Sequence, residues 1–216
     1  MLETSGIKAK FTMIFDSQIS SMSGIALFII AGNRLSYAIV AACALIWVSV
    51  ISAALSIVMR RVKSKTRIRM LGVIVSSFAG SLYLFLLNLM NPLLAMESVL
   101  ICMLAPVFYM GGKFRACSED VPEGATVGEF LQNALFESVA LGALTLAFSL
   151  IREPLGFATL TVPDVRRGII ALFNSKDSYP YSVQLISSST GALFLLAYIM
   201  VILRYIGAGC RRRDGL

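Results

Sequence analysis

The sequence predicts an all-α integral membrane protein with six transmembrane helices, arranged as an inverted 3+3 repeat whose first and fourth helices are short or broken. Three observations carry this expectation. Hydrophobic residues make up 57% of the 216 and charged residues only 14%, whereas a soluble domain is about one-quarter charged. Apolar runs of membrane-crossing length recur along the chain. Lys and Arg gather in alternate loops between those runs.

A hydrocarbon layer about 30 Å thick takes roughly 20 residues of helix, because each residue rises about 1.5 Å and every backbone N–H must find its acceptor within the segment. The first segment, 19–31, falls short: Ser20, Ser21, Ser23 and Gly24 leave only 24–31 purely apolar. The second, 35–59, and the third, 70–90, are long and uncharged. The fourth, 93–110, follows Asn91 and Pro92, contains Glu97 and is interrupted by Pro106. The fifth, 127–151, carries Glu129 near its start and Glu137 about ten residues in; the sixth is 182–206. Together these spans make 1–216 a single polytopic membrane domain. No cleavable leader is expected, since the first apolar run begins only after Asp16.

Orientation follows from the basic residues, which are retained on the cytoplasmic side. Arg60, Arg61, Lys63, Lys65, Arg67 and Arg69 fix one loop inside. Six crossings then place Lys8 and Lys10, Lys113 and Arg115, and the tail Arg211, Arg212, Arg213 on that same side. Five crossings would send one of the two termini outward against this bias, so the weak first segment is counted as a span. Both termini are expected in the cytoplasm of a bacterial inner membrane. Three spans are an odd number, so a duplicated three-span unit inserts its second copy upside down. Matching short or Pro-interrupted segments in the two halves then point to a site near the bilayer midplane. Pro92 taken alone reads as the first residue of a helix, where no N–H is needed.

Several function classes are excluded by what is missing. The chain has no histidine, which removes the usual general base and the imidazole-dependent triads. Cys43, Cys102, Cys117 and Cys210 share no short spacing, so neither a disulfide scaffold nor a CxxC site is expected. The net charge of +7 comes from residues between apolar spans, not from a basic face interleaved with aromatics, so nucleic acid is not a partner. No G-x-G-x-x-G opens a helix after a strand, and no flavin or nicotinamide site is seen.

The charged residues within the spans are the candidate site. Glu137 is deep enough that an exposed carboxylate would cost several kcal/mol. It should face a protein interior, in ion passage, in a subunit contact or in a structural hydrogen bond. Asn133, four residues earlier, shares its helical face. Glu97 and Glu129 sit close enough to span ends to reach the interface. Arg152 and Glu153 stand at the end of the fifth span, where Pro154 and Gly156 could simply terminate the helix.

The run I-R-E-P-L-G-F-A-T-L at 151–160 resembles the R-E-I-L-G-x-G-T-L segment of the Rnf/Nqr membrane subunit family, and D-S-Y-P at 177–180 resembles the D-S-P before that family's last helix. Length, span number and spacing agree over most of the chain, and an N-terminus inside is similar to the RnfE/NqrD type. The resemblance implies an integral subunit of an ion-translocating electron transport complex, coupling electron transfer to Na⁺ or H⁺ movement and not itself catalytic. Its implied partners are other Rnf/Nqr-like membrane subunits, including a sister six-span subunit. Glu137 and Asn133 would line polar space, and Arg152 and Glu153 would hold a neighbouring subunit.

In that family one cysteine of the first segment and one of the fourth supply half the ligands of a 2Fe–2S cluster shared with the sister. The first segment here has Ser23, Gly24, Ile25 and Ala26 at that place, and in the fourth Ala105 aligns with the cysteine. Cys102, one turn earlier, is the remaining candidate ligand, against the alternative of a small buried apolar residue. The missing thiols leave a redox-independent transporter, channel or structural subunit as the rival reading.

Overall fold

The computed structural model describes residues 22–59, 65–112, 127–164, 168–174 and 184–213. It is mostly helical, with three helices long and apolar enough to cross a membrane: Leu35–Leu55, Met70–Met90 and Ala134–Phe157. Two shorter apolar helical stretches, Pro92–Val107 and Ser189–Ile202, accompany them. In chain order the elements are α1 (Met22–Ala31), α2 (Leu35–Met59), α3 (Lys65–Met90), α4 (Pro92–Gly112), α5 (Val127–Phe157), β1 (Thr159–Asp164), β2 (Gly168–Asn174), α6 (Gln184–Ser187) and α7 (Ser189–Arg213). The basic loop positions 113, 115, 166, 167 and 176 lie outside the described residues.

Helix ends follow local chemistry. α1 stops at Gly32, whose N–H still reaches the Phe28 carbonyl at 2.9 Å. A Cβ at Gly32 would run into the ring of Phe148 and the Phe28 carbonyl, so glycine lets α1 and α5 approach closely there. α3 and α4 are separated by Asn91 alone. Its Oδ1 accepts from Leu94 N at 3.1 Å, an N-cap, and Pro92 occupies the first helical position.

The fourth helix is not broken. It is a continuous α-helix through Pro106, which corrects the expectation of an interrupted span. Proline removes one backbone bond and pushes its ring outward. That ring lies against Gly80 of α3, where a side chain would come within 2.5 Å of Pro106 Cγ. The neighbouring helix therefore makes room and α4 need not unwind. The first helix is short in the described residues, ten residues from Met22 to Ala31.

The last helix carries a break that apolar periodicity does not announce. α6 ends at Ser187 and α7 begins at Ser189. Ser188 accepts from Gly191 N through its Oγ at 3.1 Å. Gly191 is required because a Cβ there would strike the Leu185 carbonyl.

The mostly helical architecture agrees with the all-α expectation, to which it adds one short hairpin: β1 and β2 pair antiparallel between α5 and α6, with a register shift between Leu160 and Thr161. The run G-I-I-A-L-F-N is short, β-branched and apolar, which suits a strand better than a loop. The hairpin caps one end of the bundle: Asn91 Nδ2 donates to the Asp164 carbonyl at 2.6 Å, and the Ser36 and Thr161 hydroxyls meet at 3.3 Å.

The core centres on α2. Leu27 and Ala31 of α1, Ala41, Ala44, Leu45 and Val48 of α2, Ala79 of α3, Ile101 and Ala105 of α4 and Leu141 of α5 form one buried cluster. A second joins α1, α5 and α7 through Phe28, Phe148, Ala192 and Leu196, the two rings edge-to-face at 6.2 Å. Lipid tails are as apolar as leucine, so helices in a bilayer gain most from close approach of small residues. The α2–α5 seam is built that way: a Cβ on Gly142 would meet that of Ala42 at 3.0 Å.

Candidate functional site

α5 runs on through Pro154 to Phe157, beyond the span end at 151 expected from the sequence. That extra length carries Arg152 and Glu153 into the hairpin end of the bundle. Arg152 is 2% exposed and Glu153 wholly buried.

Arg152 spends its donors on backbone carbonyls of this same chain. Nη1 donates to Ile29 O at 3.0 Å, near the end of α1. Nε donates to Ile186 O at 3.1 Å, and Nη2 to Ser187 O and Ser188 O at 3.0 and 3.2 Å, at the break between α6 and α7. The last carbonyls of any helix lack intrahelical partners and carry the negative end of its dipole. One buried guanidinium thus serves two helix C-termini.

Glu153 performs the opposite task at a helix N-terminus. The residue before α2 is Arg34, which has no side-chain acceptor to cap it. Glu153 Oε2 instead accepts from Leu35 N at 2.6 Å, across 118 residues of sequence. The carboxylate's other oxygen, Oε1, is buried without a partner among the described residues. The adjacent pair therefore ties together the end of α1, the start of α2 and the α6–α7 break. Both charges sit inside the chain, bound to its own backbone, and not on its surface.

Beside this junction lies a cavity of about 310 Å³ lined by Asn33, Tyr37, Glu97, Arg152, Ser187 and Ser189, with Ile29, Ile30, Leu100 and Ile101 as its apolar walls. Tyr37 donates its hydroxyl proton to Glu97 Oε2 at 3.1 Å, and Glu97 is exposed. Of the charged residues singled out from the sequence, Glu97 and Arg152 share this cavity. Asn33, Tyr37, Ser187 and Ser189 were not foreseen. Asn33 beside the G-N-R turn carries the only sequence signal among them, a polar turn between two apolar runs.

Glu137 is half-buried and lies elsewhere. Fifteen residues separate it from Arg152, which at 1.5 Å per residue is about 22 Å along α5. The side chains of Asn133 and Glu129 fall outside the described residues.

Cys102 is 1% exposed and packs with Val40 and Leu94. Tyr83, Leu84, Leu87 and Ile169 surround that cluster. Cys43 is exposed on α2. Ala105, the position aligned with the family cysteine, is buried against α1. Among the described residues no group of three or more His, Cys, Asp or Glu converges on one point. Cluster ligation draws on several thiolates, and among the described residues Cys102 packs against Val40, Leu94 and Tyr83.

No protein-family model, curated protein or solved structure matches this chain.

Proposed function

We propose that the chain is an integral subunit of an Rnf/Nqr-like, ion-translocating electron transport complex, crossing a bacterial inner membrane six times as two oppositely inserted triplets with both termini in the cytoplasm. One observation carries the reading. The R-E pair that bears the sequence resemblance is also the pair that fastens α1, α2 and the α6–α7 break together. A motif retained at a helix end for solvation alone would leave both side chains exposed. The packing of Leu27 and Ala31 of α1 against Ile101 and Ala105 of α4 supports a meeting of the first members of the two triplets.

In this reading the chain supplies scaffold and polar path, not chemistry. Flavin, nicotinamide and the electron route belong to its partners, including a sister six-span subunit, a division that the packing of Cys102 against Val40 and Leu94 supports. Glu137, with Asn133 on the same helical face, is the candidate lining of an ion path, since a carboxylate at that depth is stabilised only by protein or water. Arg152 and Glu153 act within the chain, so a neighbouring subunit would meet the surface they shape and not the charges themselves.

The Cys102 environment favours one second reading, a redox-independent transporter or channel of the same fold. Affinity purification of the tagged chain from its native membrane separates the two. Recovery of membrane redox subunits in stoichiometric amounts is expected. A chain that emerges alone and moves Na⁺ or H⁺ in proteoliposomes without an electron donor would overturn the first reading in favour of the second.

A further inference from the structure

Two charged groups border the cavity at the hairpin end, and both keep bonding capacity in hand. A guanidinium has five N–H donors. Arg152 uses one on Nε, one on Nη1 and two on Nη2, which leaves a second N–H on Nη1. Arg152 is 2% exposed, and the cavity it lines is the space beside it that an acceptor could occupy. Glu97 lines the same cavity, and a carboxylate offers about four lone-pair directions. Glu97 has one of them occupied, by Tyr37.

We propose that this cavity holds the head group of an ethanolamine phospholipid, a phosphate oxygen accepting from Arg152 Nη1 and the ammonium donating to Glu97. Charge complementarity selects the occupant. A simple cation would answer Glu97 but sit beside a buried guanidinium and leave its N–H unmet. An anionic lipid would answer Arg152 but face the Glu97 carboxylate with nothing to offset it. A choline head group is zwitterionic, yet its trimethylammonium has no proton to donate. A primary ammonium on a phosphate satisfies both walls with charge-assisted hydrogen bonds, the stronger kind.

Depth and lining agree with a lipid. Glu97 is five residues into α4 and so about 8 Å below the helix end. Head groups occupy a layer of roughly that thickness on each face of the hydrocarbon. Ile29, Ile30, Leu100 and Ile101 continue the cavity as an apolar wall, which suits the glycerol and acyl portion and offers nothing to a free head group. The volume of about 310 Å³ is at the small end of ligand sites, which start near 300 Å³.

The test uses the full chain with whatever subunits accompany it. It is placed in nanodiscs holding equal parts of phosphatidylethanolamine, phosphatidylcholine and phosphatidylglycerol with identical acyl chains. Native mass spectrometry then counts the lipids retained after release into detergent. Phosphatidylethanolamine should be enriched about tenfold over each of the others, the scale of one charge-assisted bond. Glu97→Gln, a change at an exposed residue that leaves the fold intact, should bring phosphatidylethanolamine to near parity with phosphatidylcholine and raise phosphatidylglycerol.

Equal retention of all three lipids, preferential retention of phosphatidylglycerol, or an ethanolamine preference that survives Glu97→Gln would overturn the proposal. Two soluble probes close the other routes. Millimolar O-phosphoethanolamine that raises the melting temperature as much as the lipid would assign the site to a free phosphate ester. A melting shift with NaCl that Glu97→Gln abolishes, with no lipid preference, would assign it to a metal cation.

Discussion

Of the most apolar stretch of α2, 56% is buried inside the protein; of that of α3, 22%. The two helices are close in length and both uncharged over that stretch, yet they meet different surroundings. α2 turns alanines and serines toward its neighbours, with Ala38, Ala41, Ala53, Ser49 and Ser52 all buried. α3 turns Ile74, Phe78, Phe85 and Leu89 outward, each more than half exposed. By length and composition both are long and apolar enough to cross a membrane. The distribution of small and large residues around each helix distinguishes the helix packed inside the protein from the one turned outward, because a bilayer rewards close approach of small side chains and is indifferent to exchanging one large aliphatic contact for another.

The comparison extends to charge. The interior region tolerates two full charges, Arg152 and Glu153, because helix termini supply carbonyls and an N–H to meet them. Arg152→Ala breaks this arrangement, removing the guanidinium that Ile29 and Ile186 carbonyls share at the two helix ends and leaving Glu153 buried without it. We expect the largest loss of any single change, on the order of 3–5 kcal/mol, read as a collapse of the monodisperse peak in detergent size-exclusion chromatography or a large fall in melting temperature. Arg152→Lys should restore only part of it, since an ammonium on a flexible stem cannot match the fork that spans Ile29, Ile186 and Ser188. An alanine variant as stable as the parent would mean that the two helix ends are held by packing alone.

Moving the charge to the other region sharpens the contrast. Phe78 is 64% exposed near the middle of its span, with no helix end nearby to satisfy a cation. Phe78→Lys should disfavour insertion of that segment by about 2.5–3.5 kcal/mol, visible as a falling inserted fraction in a glycosylation-mapping assay, while Phe78→Leu should be silent. Full insertion of the lysine variant would place α3 against protein or water at that face, contrary to the lipid contact read from its side chains.

How far the sequence spoke for itself divides along the same line. The long helices were legible because a run of about 20 apolar residues has few other destinations. The junction was legible only as a motif. Arg152 and Glu153 stood out as charges at a span end, but their partners are the backbone atoms of Ile29, Ile186, Ser187, Ser188 and Leu35, and a carbonyl or an N–H leaves no trace in residue type. Glu97 was noted and Tyr37 was not, because sixty residues separate them and only the approach of α2 and α4 joins them. The continuous path of α4 through Pro106 depended on Gly80 of another helix. The strands were missed because Pro163 sits in the first and a register shift interrupts the pairing. A proline within a strand argues against the assignment unless it lies at an edge, and in a two-stranded sheet every strand is an edge.

The smallest expected effect lies where bundle meets hairpin. Ala158, between α5 and β1, has φ of 51°, the left-handed region that a Cβ disfavours by about 1–2 kcal/mol. Its N–H reaches the Pro154 carbonyl at 3.1 Å, the bond that closes a helix at a position glycine usually fills. Ala158→Gly removes the Cβ clash but adds freedom to the unfolded chain, an opposing term of about 0.4–1 kcal/mol. The net should be a gain of about 0.5–1 kcal/mol, or a rise of about 1–4 °C in melting temperature for a chain of this size. Such a rise is measurable by differential scanning fluorimetry in detergent. A fall would show that the entropy term wins, and that the turn out of α5 owes its shape to the hydrogen bonds of Glu153, Ser36 and Thr161 on either side more than to its own backbone preference.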